Sequence, residues 1–275
     1  MDINRKKELK EIARTVRLDI LEEIYTAASG HPGGSLSCTD ILTYLYFEEM
    51  RVRPNEPKWE DRDRFVLSKG HAAPALYAVL AEKGYFDKKE LLKLRRIDGM
   101  LQGHPDMKKT PGVDISTGSL GIGLSNACGM ALAGRLQNRD FRVFAITGDG
   151  ELQEGGIWEA AMFAAHYKLD RLFVFVDANG LQIDGRTRDV LCPEPIDRRF
   201  EAFGWDVQRI DGHDFDAIAA ALENAKKISG KPHAIVCDTV KGKGVSFMEN
   251  QASWHGNAPK KEQYEQAVRE LSAQE

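Results

Sequence analysis

The sequence predicts an α/β fold: a central, mostly parallel sheet flanked by helices. Three observations predict it. Short apolar runs rich in β-branched and aromatic residues (Phe141 to Thr147, Leu172 to Val176, His233 to Asp238) alternate with segments whose apolar residues recur every three or four positions. The runs are continuous rather than alternating, as expected of strands buried on both faces. No internal repeat, low-complexity tract or Pro/Ser-rich linker divides the 275 residues, so one domain spanning 1–275 is expected.

In chain order, Leu9, Ile12, Ala13, Val16, Ile20 and Ile24 mark an amphipathic helix, with Gly30 as its stop. Phe65-Val66-Leu67 is a short strand leading into Ser68-Lys69-Gly70-His71. Helices are predicted over Ala72 to Glu82 and Lys88 to Arg95. Gly99 to Gly123 is rich in Gly, Pro, Asp, Ser and Thr, a loop long enough to suggest function. Leu124 to Leu136 is a helix of small residues suited to close packing. Then come the strand Phe141 to Thr147, helix Gly155 to Tyr167, strand Leu172 to Val176, helix Pro195 to Phe203, strand Trp205 to Ile210, helix Phe215 to Lys227 and strand His233 to Asp238. Glu262 to Leu271 closes the chain as a polar helix.

Composition excludes several classes. Apolar residues make up 42% and charged residues 29%, which argues against a disordered, collagen-like or disulfide-knotted chain. The net charge of −4, with no dense basic stretch, leaves nucleic acid without an electrostatic footprint. The longest apolar runs, such as Ala75 to Ala81, fall far below the roughly 18 residues of a membrane helix. Met1 to Lys7 is not followed by the apolar core of a secretory signal, so no membrane is expected and a cytoplasmic location is. Cys38, Cys128, Cys192 and Cys237 lie far apart with no Cys-x-x-Cys, and read as buried thiols in a reducing compartment.

Parallel sheets bind ligands beyond the carboxyl ends of their strands. One strand here ends in Gly148-Asp149-Gly150 and the next in Asp177-Ala178-Asn179-Gly180-Leu181. Each alone reads as a turn. Together they place a carboxylate, an amide oxygen and a backbone carbonyl near Leu181 at adjacent strand ends, a donor set for Mg²⁺ or Ca²⁺. The helix beginning near Gly155 is expected to add amide donors for a diphosphate. No Walker loop and no strand-borne Gly-x-Gly-x-x-Gly competes; Gly118-Ser119-Leu120-Gly121-Ile122-Gly123 follows a loop instead. Five of the seven histidines (His31, His71, His104, His213 and His255) sit beside Gly or Pro, on turns where a shared cleft could use them. Lys241-Gly242-Lys243-Gly244 could meet anionic groups but reads first as a solvated loop, His166 and His233 as structural, and His213 as either turn or site.

Gly148-Asp149-Gly150 followed by Asn179 resembles the thiamine diphosphate motif, and Gly148-Asp149-Gly150-Glu151-Leu152-Gln153-Glu154-Gly155 resembles transketolases in particular. Ser29-Gly30-His31-Pro32-Gly33, Ser68-Lys69-Gly70-His71-Ala72, Gly103-His104-Pro105, Gly118-Ser119-Leu120-Gly121, Ile183-Asp184-Gly185, Asp211-Gly212-His213-Asp214 and His255-Gly256 extend the likeness over nearly the whole chain. The resemblance implies a single thiamine-diphosphate-binding domain of the diphosphate-binding type. It implies that Asp149, Asn179 and the carbonyl of Leu181 hold Mg²⁺, with Ca²⁺ or Mn²⁺ as substitutes. His71 and His255 would lie by the diphosphate and the reaction centre, and His31 and His104 would meet hydroxyls of the sugar donor. Gly118 and Leu120 would contact the aminopyrimidine, Ile183 would press on the waist of the cofactor, and Gly148 and Gly150 would flank the diphosphate. Glu154 would join a carboxylate network between two active sites. Leu120 and Ile183 as core residues, and Glu154 as a helix N-terminal charge, are the plain alternatives.

The implied reaction moves a two-carbon ketol unit from a ketose phosphate to an aldose phosphate, with an imidazole of His255 or His31 taking the C3 hydroxyl proton near neutral pH. The family's pyrimidine-binding domain finds no room after His255-Gly256, so it is expected on a separately encoded C-terminal subunit, in an α2β2 assembly. Ser119 stands where many relatives have proline. Alternatives are a specialised sugar-phosphate transketolase, a 1-deoxyxylulose-5-phosphate synthase-like enzyme, a dehydrogenase E1 subunit, or a non-catalytic cofactor-binding remnant.

Overall fold

A computed structural model of the chain describes residues 1–273. The helices are α1 (Ile3–Ala27), α2 (Pro32–Ser37), α3 (Thr39–Tyr44), α4 (Ala73–Lys83), α5 (Gly123–Leu136), α6 (Gly155–His166), α7 (Thr187–Leu191), α8 (Ile196–Ala202), α9 (Phe215–Ala225) and α10 (Lys261–Ser272). The strands are β1 (Arg64–Leu67), β2 (Val143–Gly148), β3 (Leu172–Ala178), β4 (Leu181–Gln182), β5 (Gly185–Arg186), β6 (Asp206–Asp211) and β7 (His233–Asp238). Five of them form one sheet in the order β1-β2-β3-β7-β6, every pair parallel, while β4 and β5 make a small antiparallel ribbon.

The apolar runs are continuous because both faces of the sheet are covered, and their parity sorts the side chains. Phe144, Ile146, Phe173, Phe175, Ile235 and Cys237 point into one cluster with α1, α4 and α9. Val143, Ala145, Val174, Val176, Ala234 and Val236 point into the other, against α5, α6 and α8. Successive residues of a strand face opposite sides, so bulky residues pack one layer and small ones the other. The small-residue layer explains the glycines and alanines of α5, where Gly134 sits against the Phe141 ring.

The predicted elements are all present, with three departures. Lys88–Lys93 is a 3₁₀ turn rather than an α-helix: Asp87 caps it, and only Leu91 is buried, too little apolar surface to hold a longer helix. α1 ends at Ala27, where Ala28 takes a left-handed cap, two residues before Gly30. The chain from 32 to 49 holds α2, α3 and a π-turn (Leu45–Glu49) that the apolar spacing did not separate. Gly99 to Gly123 is indeed irregular up to the start of α5. Among the described residues no helix is long and apolar enough to cross a membrane. Cys38, Cys128 and Cys237 are buried as free thiols, but Cys192, beyond α7, is exposed, because its short helix buries only Thr187.

Candidate active site

The carboxyl ends of β1, β2, β3 and β7 open into one cavity of about 290 Å³. Asp149, one residue past β2, is almost fully buried; its Oδ1 accepts the Gly150 amide at 2.8 Å and its Oδ2 the Gly180 amide at 2.6 Å. Burial, and then the carboxylate of Asp177, push its pKa up to about 6. Asn179 follows β3; its Oδ1 accepts the Leu181 amide at 3.1 Å and its Nδ2 donates to Asp177 Oδ2 at 3.1 Å. The Leu181 carbonyl accepts Lys241 Nζ at 3.2 Å. Among the described residues no three His, Cys, Asp or Glu side chains gather as a metal-binding group. The expected set draws on one carboxylate, an amide oxygen and a carbonyl, all hard oxygen donors, and a lysine ammonium already rests on one of them.

Four of the five turn histidines converge. The ring centres of His71 and His255 are 5.0 Å apart, those of His31 and His71 5.2 Å, and those of His31 and His255 5.5 Å. His104 stands 6.4 Å from His31. All four are held below the usual imidazole range, first by burial: His31 to about 4, His255 to about 3, His71 well down, and His104 lowered. Neighbouring lysines add to the effect at His31, His71 and His255, and Arg95 at His31 and His104. The rings are therefore neutral, able to accept a proton. Lys241 Nζ donates to His255 Nδ1 at 3.1 Å, which places that ring's proton on Nε2 when the lysine is charged.

His213 does not join them. Its Nδ1 lies 2.7 Å from Asp40 Oδ2, and its Nε2 accepts the Val240 amide at 2.9 Å. Asp40 also pairs with Arg17 at 2.6 Å, so His213 ties the loop after β7 to α1 and α3. His166 lies exposed on α6, and His233 is buried beside Asp206, 3.0 Å away.

Two buried lysines stand in the site. The solvated reading of Lys241 fails while its other reading, a contact for anionic groups, stays open, and the sequence alone assigns Lys69 no role. Lys241 is 2% exposed and lines the cavity rather than a solvated loop, because its loop is drawn down by the Gly242–Gly33 backbone bond and by His213 on Val240. Burial, and then Lys69, lower its pKa to about 8. Lys69, also 2% exposed, reaches Asp177 Oδ2 and the Gly34 carbonyl, each at 2.6 Å. Burial opposes its charge, but Asp177 outweighs that and raises its pKa. The one signal for Lys69 was its place directly after β1, beside His71.

The floor is the 3₁₀ turn Gly150–Gln153, not the start of α6. Gly156 of α6 abuts the Gly121 carbonyl of the neighbouring loop, where a Cβ would lie 2.9 Å from the oxygen. That loop is stapled by Glu151, whose carboxylate accepts Ser68 Oγ and the amides of Gly121 (3.0 Å) and Gly148 (3.1 Å). Gly121 has φ +86°, and a Cβ there would lie 2.6 Å from that of Glu154; Gly118, at φ +151°, lies under the His104 ring. Leu120, Ile183 and Glu154 line the open rim, Ile183 being 66% exposed, so none of them is a core residue.

Residues 8–274 match the family described as transketolase, thiamine diphosphate binding domain. The chain belongs to the transketolase family. It is 48% identical over 264 residues to the 6-deoxy-6-sulfo-D-fructose transketolase subunit SqwG of Clostridium sp. (strain MSTE9), covering 96% of each chain. It is 45% identical to an apulose-4-phosphate transketolase subunit of Phocaeicola vulgatus, over 93% of this chain and 91% of that one. The crystal structure of transketolase from Campylobacter jejuni superposes with a TM-score of 0.91 at 36% identity, covering 99% of this chain but 43% of that one. Human transketolase is 41% identical, with 43% of its length covered. The chain thus spans nearly the whole of the relatives named as subunits and less than half of the single-chain transketolases.

Thiamine diphosphate, which this family domain binds, fits the residues present. A diphosphate needs cations, and the cavity carries two buried lysines; a divalent ion needs oxygen donors, and Asp149, Asn179 and Leu181 supply them. The rim offers exposed apolar side chains at Leu120 and Ile183 for the rings.

Proposed function

We propose that the chain is the diphosphate-binding subunit of a two-subunit transketolase that moves a two-carbon ketol unit from a ketose phosphate to an aldose phosphate. The observation that carries it is the convergence of four neutral histidines over a lysine-lined cavity that ends in the Asp149–Asn179–Leu181 oxygen set. Asp149, Asn179 and the Leu181 carbonyl hold Mg²⁺, with Ca²⁺ or Mn²⁺ as substitutes, and the metal, Lys241 and His71 hold the diphosphate. Gly148 and Gly150 let the backbone approach it. Gly118 and Leu120 meet the aminopyrimidine, and Ile183 supports the bend of the cofactor.

When bound, thiamine diphosphate supplies the electron sink that carbon–carbon cleavage needs. The residues of this chain do the rest. His31 and His104 orient the hydroxyls of the donor. His255 takes part in moving the C3 hydroxyl proton as an acceptor when Lys241 is neutral, because a charged Lys241 occupies its Nδ1 and leaves the proton on Nε2, and His31, whose buried Nδ1 has no partner among the described residues, is the other acceptor at hand. His71 and Lys241 stabilise negative charge near the diphosphate. Glu154, on the open rim, faces the partner and links the two active sites.

The pyrimidine-binding domain belongs to a separate C-terminal subunit, in an α2β2 assembly, with this chain forming one domain. Support comes from the relatives named as subunits, which match over nearly their full length. Those relatives carry the names of unusual sugars, so the donor panel includes a 6-deoxy-6-sulfo ketose and a branched ketose phosphate beside xylulose 5-phosphate. The buried free thiols favour the cytoplasm.

The test is to co-purify the partner and assay ketol transfer across that panel with thiamine diphosphate and Mg²⁺. Transfer by the complex, and none by this chain alone, is expected. Transfer by the isolated chain sinks the two-subunit reading; a cofactor-loaded complex that transfers from no ketose sinks the activity.

A further inference from the structure

Asp149 and Asn179 come from neighbouring strands, and one buried residue reaches both. Asp177, on β3, lies level with Gly148 in the register. Its carbonyl accepts the Asp149 amide at 3.2 Å. Its Oδ2 faces the Asn179 amide group at 3.1 Å. An ionised carboxylate only accepts, so the Asn179 atom that faces it must be the nitrogen. That contact selects one of the two amide orientations and turns Oδ1 away from Asp177.

Asp177 is itself clamped. Its side chain is fully buried, and it accepts Ser37 Oγ at 2.6 Å, Thr239 Oγ1, and Lys69 Nζ at 2.6 Å. Lys69 is the cationic partner in this clamp, itself buried and also bound to the Gly34 carbonyl at 2.6 Å.

We propose that Lys69 and Asp177 form a positioning pair for the divalent-cation site: Asp177 orients the Asn179 amide and anchors the Asp149 backbone, and Lys69 holds the Asp177 side chain in place. This rests on the reading that Asp149, Asn179 and Leu181 hold the cation. Neither member of the pair is a ligand.

The test compares two neutral replacements of the pair in the full chain with its partner: Lys69→Met with Asp177→Asn, and Lys69→Met with Asp177→Leu. Both remove the two buried charges together, but only asparagine keeps an acceptor for Asn179. Mg²⁺ is titrated at fixed thiamine diphosphate, followed by tryptophan fluorescence (Trp254 adjoins His255), and urea unfolding is measured without ligands. The leucine pair is expected to raise the Mg²⁺ midpoint about 10- to 100-fold, the range for lost outer-shell partners. The asparagine pair is expected to keep a Mg²⁺ midpoint at least about tenfold below that of the leucine pair, about 1.4 kcal/mol, with similar urea midpoints for both; both pairs lack the Lys69 ammonium, so its loss cancels in the comparison. Equal Mg²⁺ midpoints for the two pairs overturn the proposal. Should the leucine pair fail to fold, Thr239→Val, which frees one oxygen of Asp177, is expected to raise the Mg²⁺ midpoint severalfold, and a wild-type midpoint there overturns it. A wild-type complex whose cofactor response ignores Mg²⁺ defeats the underlying cation reading instead.

Discussion

Both ends of the five-stranded sheet bury charge, and they treat it differently. At the amino end, the side chain of Asp63 is fully buried and filled with donors: the amides of Arg51 (2.9 Å) and Arg142 (2.8 Å), Arg142 Nη2 (2.7 Å) and Arg51 Nη2 (3.3 Å). Glu49, its side chain nearly buried, is held by Arg142 and Lys226, and the exposed Asp140 by Arg51 and Arg171. At the carboxyl end, Asp149 meets only two backbone amides, and Lys241 meets only a carbonyl and an imidazole. Their pKa values are displaced accordingly, to about 6 and about 8. A saturated buried charge fastens a fold, whereas one with bonding capacity to spare marks a place built for a ligand.

The sharpest way to break this comparison is to neutralise one carboxylate at each end. Asp149→Asn is expected to weaken cofactor binding in the assembled complex by more than about 100-fold, beyond the range for outer-shell partners. Binding at wild-type affinity would end the assignment of Asp149 to the cation. Asp63→Ala is expected to leave cofactor affinity unchanged while costing about 1–3 kcal/mol in denaturant unfolding, because it leaves the amides of Arg51 and Arg142 without their acceptor, while the two guanidinium groups keep Asp140 and Glu49. A loss of cofactor affinity there would show that the amino end is not merely a fastening.

Smaller changes sharpen the picture within the carboxyl end. Tyr77 Oη is placed to bond the carbonyls of Gln102 (2.9 Å) and His104 (3.1 Å), so it holds the loop that carries His104. Tyr77→Phe is expected to cost about 1 kcal/mol, about a fivefold rise in donor KM. An unchanged KM would remove His104 from donor binding or Tyr77 from its support.

His31 gives the pH test. Its folded value, about 4, lies below the ordinary imidazole value, so the unfolded chain binds more protons in between. Stability from this group is present above about pH 6.5 and is lost as pH falls toward 4. His31→Gln is expected to flatten the decline in urea midpoint across that window and to leave the slope above pH 7 alone. The smallest effect concerns thiols: native labelling is expected at Cys192 only, since Cys38, Cys128 and Cys237 are buried and burial pushes all three thiols up. Mass spectrometry after brief alkylation reads it.

Much of the fold was legible because strand runs and helix spacing are local signals. What was missed follows from scale. Lys88 to Arg95 carries helix-forming residues, but the structure buries only Leu91 and Leu94 of it, and packing overrode propensity. In the site, Gly148-Asp149-Gly150 and Asn179 were legible because turn chemistry at a strand end leaves its mark in consecutive residues. Of the two readings of Lys241 the solvated one failed, because its burial depends on contacts with Leu181 and His255, and of Gly242 with Gly33, that its neighbours in sequence do not encode. His213 and His255 look alike in sequence, each beside glycine. Their fates diverge because β6 lies at the sheet edge while the loop after β7 folds back over the centre.

By itself the sequence determined the α/β class, the order of strands and helices along the chain, the places of Asp149 and Asn179 at two strand ends, and the family. These are short-range properties: side-chain parity, apolar spacing and turn residues act over a few positions. Only the tertiary structure decided which strands are neighbours, which histidines share a cleft and which lysines are buried beneath it. Those depend on the strand order β1-β2-β3-β7-β6, which brings the ends of segments more than a hundred residues apart onto one floor. Burial and field strength arise there from the sum of distant neighbours, and no single stretch of chain contains that sum.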